Sequence, residues 1–448
     1  MNRKLGARAS ILRMAGVACA VIVLLASSAA IRAQAPEAPK EPGLPTLTVD
    51  GAIRWALEHN PELMALRQQH GIAAAGIVIA NTYPFNPVLE SKVREANGPG
   101  SAGVTNMVSN EHKVFMDVEM RGQRFFRRDA ANATLSRTDW EIAGQELALS
   151  IRVVRAFETV VYRHKKKQLI EQTLDLNTKA AEHGEELWKK NLLKTPDLIA
   201  LRTEAADYRT QLTAARYQLV LAWNDLRRVL GVVTDTFALD GDLIYPPVPQ
   251  PFADLEKTAL EQRPELHVRQ AAVNEAEARL RLEIANRYGN PNFGPAYEYD
   301  PTRINLIGAQ LVLPLPVFNT HKGDIQQREA ERNRASYDLI QTEVLIRQDV
   351  FAALKRLEQA RAGADLYRND VRPVMDAAMR DMRNLFEHGD PNVDALRVLD
   401  VQRKQLRARD GELDALWELR QAQADLSAAV GDPALSAFSL PPLDKPAH

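Results

Sequence analysis

The sequence predicts a mainly α-helical, internally duplicated chain that also carries a membrane β-barrel part. Three observations lead there. Ala56-Leu57-Glu58-His59-Asn60-Pro61-Glu62-Leu63 recurs as Ala259-Leu260-Glu261-Gln262-Arg263-Pro264-Glu265-Leu266. Two proline-poor stretches are long enough for helices far beyond ordinary globular length. Each half also holds one pair of alternating segments long enough for a tilted strand to cross a bilayer.

The duplication rests on further matches in the same order. Ala80-Asn81-Thr82-Tyr83 returns as Ala285-Asn286-Arg287-Tyr288, and Asn86-Pro87 as Asn290-Pro291. Asp225-Leu226 and Leu230-Gly231 return as Asp425-Leu426 and Val430-Gly431. Ordered matches at a nearly constant offset are the signature of a repeat. They divide the chain into a first repeat, 49–231, a proline-rich linker, 232–257, and a second repeat, 258–431, with a C-terminal tail, 432–448.

Composition sets limits on function. The 448 residues carry 57 Lys plus Arg against 58 Asp plus Glu, so no basic excess exists to hold nucleic acid. The one cysteine, Cys19, excludes disulfides, a cysteine zinc site and a redox CxxC centre. Residues 1–35 read as a secretory signal peptide: Arg3, Lys4, Arg8 and Arg13, then an apolar stretch, then Ala33-Gln34-Ala35. The apolar run follows Cys19 instead of preceding it, which argues against a lipid anchor. Removing the segment takes the net charge from −1 to −6. Residues 36–48 form an extended lead-in.

In the first repeat a helix is expected from Asp50, as its N-cap, to about Ala80, broken or kinked at Pro61. A hairpin follows at about 87–120. Leu89, Ser91 and Val93 alternate in its first strand, and Val114, Met116, Val118 and Met120 oppose Asp117 and Glu119 in its second. From Gln123 to about Asn191 no proline occurs, and 69 residues of helix would span about 100 Å. Leu147, Ile151, Val154 and Val161 form one apolar stripe, and Leu149, Val153, Ala156 and Val160 a second. A helix with two stripes packs on two neighbours.

The second repeat follows the same plan, with a hairpin at about 291–313. There Phe293, Tyr297 and Tyr299 alternate with Gly294, Ala296, Glu298 and Asp300, and Ile307, Ala309, Leu311 and Leu313 share a face. From Ile325 to about His388 only Pro373 interrupts the helix. Four strands cannot stand alone in hydrocarbon, because their edge N–H and C=O groups would be unpaired. They must close with strands of other copies, and cyclic symmetry satisfies strands and helices together. A strand-walled mouth on a helical tube is a conduit, not a catalyst.

The chain resembles the TolC family of outer-membrane efflux channels over about 46–432. The resemblance is carried by Leu47-Thr48-Val49-Asp50-Gly51-Ala52, the Leu57 to Leu63 block, Asn86-Pro87, Val118 to Arg124, and Val398-Leu399-Asp400-Val401-Gln402-Arg403. The most specific match is Leu313-Pro314-Leu315-Pro316-Val317-Phe318-Asn319-Thr320-His321-Lys322-Gly323, which points to the CzcC-type branch of heavy-metal efflux. Two departures stand out. The strand-to-helix corner reads Arg121-Gly122-Gln123-Arg124 where the family usually has two glycines and a lysine, and the second tip is about two residues longer than common patterns. The resemblance implies a homotrimer with a twelve-stranded barrel in outer-membrane lipid. It also implies a periplasmic tunnel docking with an adaptor protein and an inner-membrane pump, with no cofactor.

The family places the aperture and the adaptor contact at the tips, here Leu192 to Pro196 and His388 to Asp394. Candidates for them are Lys194, Asp197, Asp390, Asp394, Arg397 and Asp400, since rings of carboxylates or carboxylate–arginine links narrow a pore. Carboxylates here also suit a helix N-terminus, so capping is the competing reading. Asp117, Glu119, Glu298 and Asp300 should face the barrel lumen by alternation, either tuning a cation-favouring pore or simply solvating it. The basic run Arg163 to Lys167 reads as a solvated helix face. The nine histidines are dispersed, with no i, i+4 pair, so no dedicated metal site is expected. Neither a P-loop, a nucleophile elbow nor an HExxH motif occurs. Two alternatives are a type I secretion duct on the same fold and a pore-less periplasmic coiled-coil protein.

Overall fold

The computed structural model describes residues 47–96, 107–191, 193–233, 238–300, 304–388 and 395–432. The signal-peptide segment, most of the lead-in and the tail after Asp432 lie outside them. The order is α1 (Val49–His59), α2 (Pro61–Asn81), β1 (Val88–Ala96), β2 (Met107–Asp117), α3 (Gln123–Lys189) and α4 (Thr195–Leu230). Then come α5 (Phe252–Gln262), α6 (Pro264–Asn286), β3 (Asn292–Tyr299), β4 (Asn305–Val312) and α7 (Lys322–Leu366). A π-helical turn (Tyr367–Val371) leads into α8 (Arg372–Glu387), and α9 (Ala395–Val430) completes the order.

The helix starts follow local chemistry. Thr48, not Asp50, caps α1: its Oγ1 accepts the Gly51 N–H at 3.2 Å, while Asp50 lies inside the first turn. The cap therefore lies two residues before the expected one. Asn60 ends α1 and starts α2. Its Oδ1 accepts from Glu62 and Leu63 N–H at 2.9 and 3.2 Å, and its Nδ2 donates to the Val229 carbonyl at 2.8 Å. Pro61 occupies the first helical position, where a missing N–H costs nothing.

The sequence repeat becomes a spatial one. Gly231 ends α4 with φ +74°, and a Cβ there would meet Pro61 Cδ at 2.8 Å. Gly431, beyond α9, has φ +77° and sits against Arg263 just before Pro264. In both halves a left-handed glycine lets the returning helix end against the proline corner of its own repeat, a fit a side chain would spoil.

The helix α3, 67 residues long, is the spine and contacts α1, α2, α4, α6 and α9. Around its middle both apolar stripes are buried, apart from half-buried Ala156, with Phe157 1 % exposed. The neighbours come from the same chain: α1, α9 and the linker before α5. Gly241 approaches Phe157 so closely that a Cβ would meet its Cε1 at 2.7 Å, and Leu47 pairs with Leu239 in a short parallel bridge. Two stripes here therefore reflect a spine wrapped within one chain at mid-height. A second cluster joins α5, α7 and α9 through Leu255, Ile346, Val350, Leu357, Leu419 and Leu426.

The break before Pro373 takes a specific form. Proline cannot donate to the carbonyl four residues back. The helix widens just ahead of it, with the Arg372 N–H reaching the Tyr367 carbonyl five residues back. The Tyr367 ring lies across Gly411 of α9, where a Cβ would meet its Cε1 at 2.6 Å.

Candidate functional site

The four strands form one antiparallel sheet in the order β1-β2-β3-β4. Val88 pairs with Phe115, Asn110 with Tyr299, and Asn292 with Val312. Residues directly opposite in an antiparallel ladder share a face, so this register sorts every side chain. One face carries the apolar Leu89, Val93, Val114, Met116, Phe293, Tyr297, Ile307 and Leu311, with Ser91, Asn110, His112 and Asn305 among them. The other carries Glu90, Lys92, Arg94, Glu111, Lys113, Asp117, Glu298 and Gln310, with Val88, Phe115, Leu306 and Val312 among them. Its charges are cross-linked: Lys92 pairs with Glu90 at 2.5 Å, and Lys113 also pairs with Glu111. A sheet greasy on one side and charged on the other suits a wall between lipid and water.

Asp117 and Glu298 lie on the charged face. Glu119 does not belong to a strand, because β2 ends at Asp117. The Tyr83 hydroxyl donates to the Asp117 carbonyl at 2.7 Å and accepts the Glu119 N–H at 3.0 Å, diverting the backbone from strand pairing. The Glu119 carboxylate, 6 % exposed, is held by both terminal nitrogens of Arg127 on α3. The expected lumen role of Glu119 is thus corrected to a corner clamp. Asp300 follows β3, its N–H bonded to the Ile304 carbonyl at 3.0 Å. The corner itself turns on Gly122 at φ +73°. Gln123 is buried there, and its Nε2 donates to Asn290 Oδ1 at 2.8 Å.

At the opposite end α3 turns into α4. Lys194 is exposed, and its carbonyl accepts the Asp197 and Leu198 N–H groups at 3.1 and 3.2 Å. Asp197 is half-buried in the first turn of α4, where the helix dipole favours it. The turn is stapled by Glu185, which contacts Arg202 at 2.7 Å and Lys189 at 3.1 Å. The Arg202 hydrogen bond, then that of Lys189, holds its carboxyl below the usual range.

At the second tip Asp390 and Asp394 lie outside the described residues. Arg397 is exposed in the first turn of α9. Asp400 pairs with Lys404 at 2.8 Å, and that hydrogen bond lowers its carboxyl. The structure brings together a pair the sequence reading missed. Glu204 on α4 holds Arg403 on α9 through two hydrogen bonds, the Nε one at 2.8 Å, tying the two tip hairpins together. Arg403 ends the Val398 to Arg403 stretch, but 199 residues separate it from Glu204.

Nor is the basic run a solvated face. Lys165 pairs with Asp242 of the linker and Lys167 with Glu171. Lys166 reaches Asp414 at 2.9 Å and Asp410 at 3.1 Å, and Tyr162 Oη donates to Asp414 at 2.6 Å. Burial alone would lower the Lys166 ammonium, but the hydrogen bonds to these carboxylates raise it overall. The run clamps α9 and the linker to the spine, a role that only the long-range partners disclose.

Among the described residues no helix is long and apolar enough to cross a membrane. The sheet is the element with a lipid-compatible face. The sequence profile of the outer membrane efflux protein family matches residues 255–432, the second repeat. That repeat matches the family. The efflux protein is 23% identical to the cobalt-zinc-cadmium resistance protein CzcC of Cupriavidus metallidurans over 399 residues, covering 88% of this chain and 92% of that one. It shares its fold with a membrane protein from Pseudomonas aeruginosa (TM-score 0.70, 17% identity, 86% of this chain and 92% of that one). CusC matches with a TM-score of 0.69 at 15% identity, over 85% of this chain and 91% of the other. The open-state MtrE channel of Neisseria gonorrhoeae gives 0.68 at 16%, over 86% and 88%. The efflux protein is an outer-membrane channel and not an enzyme.

One further side-chain group escaped the sequence reading, which expected no metal-ligating set. Glu283 of α6, His321 before α7 and Asp324 in its first turn bring one donor atom each within 4.8 Å of one another. His321 and Asp324 are i, i+3 neighbours, and only the packing of α6 on α7 brings Glu283 to them.

Proposed function

We propose that this protein is the exit duct of a tripartite efflux system and works as a homotrimer. Its twelve strands would close one barrel, and its tips would meet a periplasmic adaptor coupled to an inner-membrane pump. The observation that carries this reading is the two-faced sheet. Within one chain β1 and β4 each keep one unpaired edge, and exposed edges are untenable in hydrocarbon. Three copies joined β4 to β1 remove every edge. In this reading the energy is supplied by the pump. Divalent heavy-metal cations are the proposed cargo, supported by the similarity to CzcC over most of both chains.

Deleting the gene should sensitise its host to one or more of cobalt, zinc and cadmium, with restoration by the wild-type gene in trans. Unchanged tolerance to all of them would remove metal export. Recovery of the protein from the soluble periplasm would instead favour the pore-less structural alternative.

The tip candidates Lys194, Asp197, Asp390, Asp394, Arg397 and Asp400 form the proposed aperture, with Asp117, Glu298 and Asp300 along the barrel bore. Removing the arginine from a ring of carboxylate–arginine links present three times should loosen the closed aperture. Arg397→Ala is expected to raise single-channel conductance in planar bilayers about twofold or more, and a conductance equal to wild type would remove Arg397 from the gate.

A further inference from the structure

We propose that Glu283, His321 and Asp324 form a divalent-cation site at the joint between the helical tunnel and the strands, selective for ions such as zinc and cobalt. The site does not depend on what the duct exports. His321 Nδ1 lies 3.2 Å from Asp324 Oδ2 and 3.7 Å from Glu283 Oε1. Donors bound to one zinc-like ion at about 2.0–2.2 Å stand roughly 3–3.5 Å apart, so these separations need only small side-chain adjustments.

The competing arrangement is an imidazolium shared by two carboxylates, and the geometry disfavours it. Nδ1 has one in-plane direction for a hydrogen bond, and 3.7 Å is too long for a second. Among the described residues no hydrogen bond reaches the Glu283 carboxylate, although that side chain is only 21 % exposed. A half-buried carboxylate facing an imidazole nitrogen and a second carboxylate, with no hydrogen-bond donor of its own in the chain, leaves three ligand atoms free to meet on a cation.

The donors also define the ion. One imidazole nitrogen with two carboxylate oxygens suits borderline divalent ions, and with no thiolate or thioether in the set it does not favour copper(I). A dication neutralises the two carboxylates, an attraction that outweighs the partial positive charge at the start of α7, where Asp324 sits. Three protein ligands leave coordination positions open to water.

The fold holds the ring in place from two sides. The Asn319 side chain accepts the His321 N–H at 3.0 Å, and the His321 carbonyl accepts the Ile325 N–H at 3.0 Å, fixing the residue at φ +52°. Glu283 approaches from a different helix. A bound ion would therefore pin α6 to the corner through which β4 enters α7, at the height where barrel and tunnel join.

The test is zinc binding to the detergent-purified full-length channel, measured by equilibrium dialysis with metal quantification and by thermal unfolding. Wild type should take up one zinc per chain and unfold at a higher temperature with zinc. His321→Ala and Glu283→Gln should each weaken binding at least tenfold and abolish the zinc-induced shift. His70→Ala, which removes an exposed histidine 2.6 Å from Asp139, should leave both unchanged. The proposal is overturned if wild type binds no stoichiometric zinc, or if an assembled Glu283→Gln or His321→Ala channel binds it like wild type. Glu283→Gln preserves shape, so it decides the matter should His321→Ala fail to assemble. Since the readout is binding in vitro, metal-tolerance results in cells bear on the cargo alone.

Discussion

Replacing Gly294 with valine should abolish assembly of the channel in the outer membrane. A Cβ at this position would overlap the Val114 carbonyl oxygen and lie 2.6 Å from Phe115 Cα. Both obstacles are backbone atoms of β2, so no rotamer change relieves them. Gly294 also lies in the one ladder that joins the two repeats within the sheet, between the Lys113–Ala296 and Met116–Phe293 pairs. Forcing β2 and β3 apart leaves two separate hairpins. A lone hairpin is marginal even in water, and in hydrocarbon each unpaired backbone group costs several kcal/mol. Membrane fractionation and chemical cross-linking should therefore show export without membrane-embedded oligomers. Gly308→Ala is the control, since a Cβ there meets nothing within 4 Å. Normal insertion of Gly294→Val would show that the two hairpins need no direct pairing.

The second large effect is expected at the ion pair between the halves. Glu158 on α3 and Arg420 on α9 have side chains only 5 % and 4 % exposed. Glu158 Oε1 accepts from Arg420 Nε at 2.8 Å and Nη2 at 2.5 Å, while its Oε2 is buried without a hydrogen-bond partner. Arg420→Met strands a buried carboxylate, which typically costs about 3–5 kcal/mol. The apparent melting temperature of the purified channel should fall sharply. Glu158→Leu combined with Arg420→Met should recover most of the loss, because two packed apolar groups need no desolvation of charge. A double variant as unstable as the single one would refute this account.

The pH dependence has a definite sign. Burial pushes the Glu158 carboxyl above its ordinary value even against the pull of Arg420, and removing Arg420 raises it further. A carboxyl whose native pKa exceeds its unfolded value binds protons more readily when folded. The deficit of Arg420→Met is therefore fully present above that raised native pKa. It should shrink as the pH falls from there toward the ordinary carboxylate value. Melting curves across that interval measure it, and a deficit that grows on acidification would contradict the assignment.

Much of the architecture was legible because it rests on local or periodic signals. Alternation around Leu89 and Val114, and around Tyr297 and Ile307, marks strands whose two sides meet different solvents, and the register preserves that sorting. The break expected at Pro61 falls there, since proline in a helix interior removes a donor and clashes with the preceding turn. The repeat told which segments correspond. It did not tell that Gly231 and Gly431 each close onto the proline corner of their own repeat, for contact is not a property of a sequence offset.

What the sequence by itself determined is the inventory: a duplicated chain, two hairpins with one greasy side, spine-length helices and the absence of cysteine ligands after the leader. These follow from period, length and composition, which are properties of neighbouring residues. Only the tertiary structure decided the pairings. Glu119 was turned from a bore-lining candidate into a clamp on Arg127, the basic run into a set of ties, and Glu283, His321 and Asp324 into neighbours. Charges act through space, with an energy set by separation and burial, and those two quantities exist only once distant helices have packed.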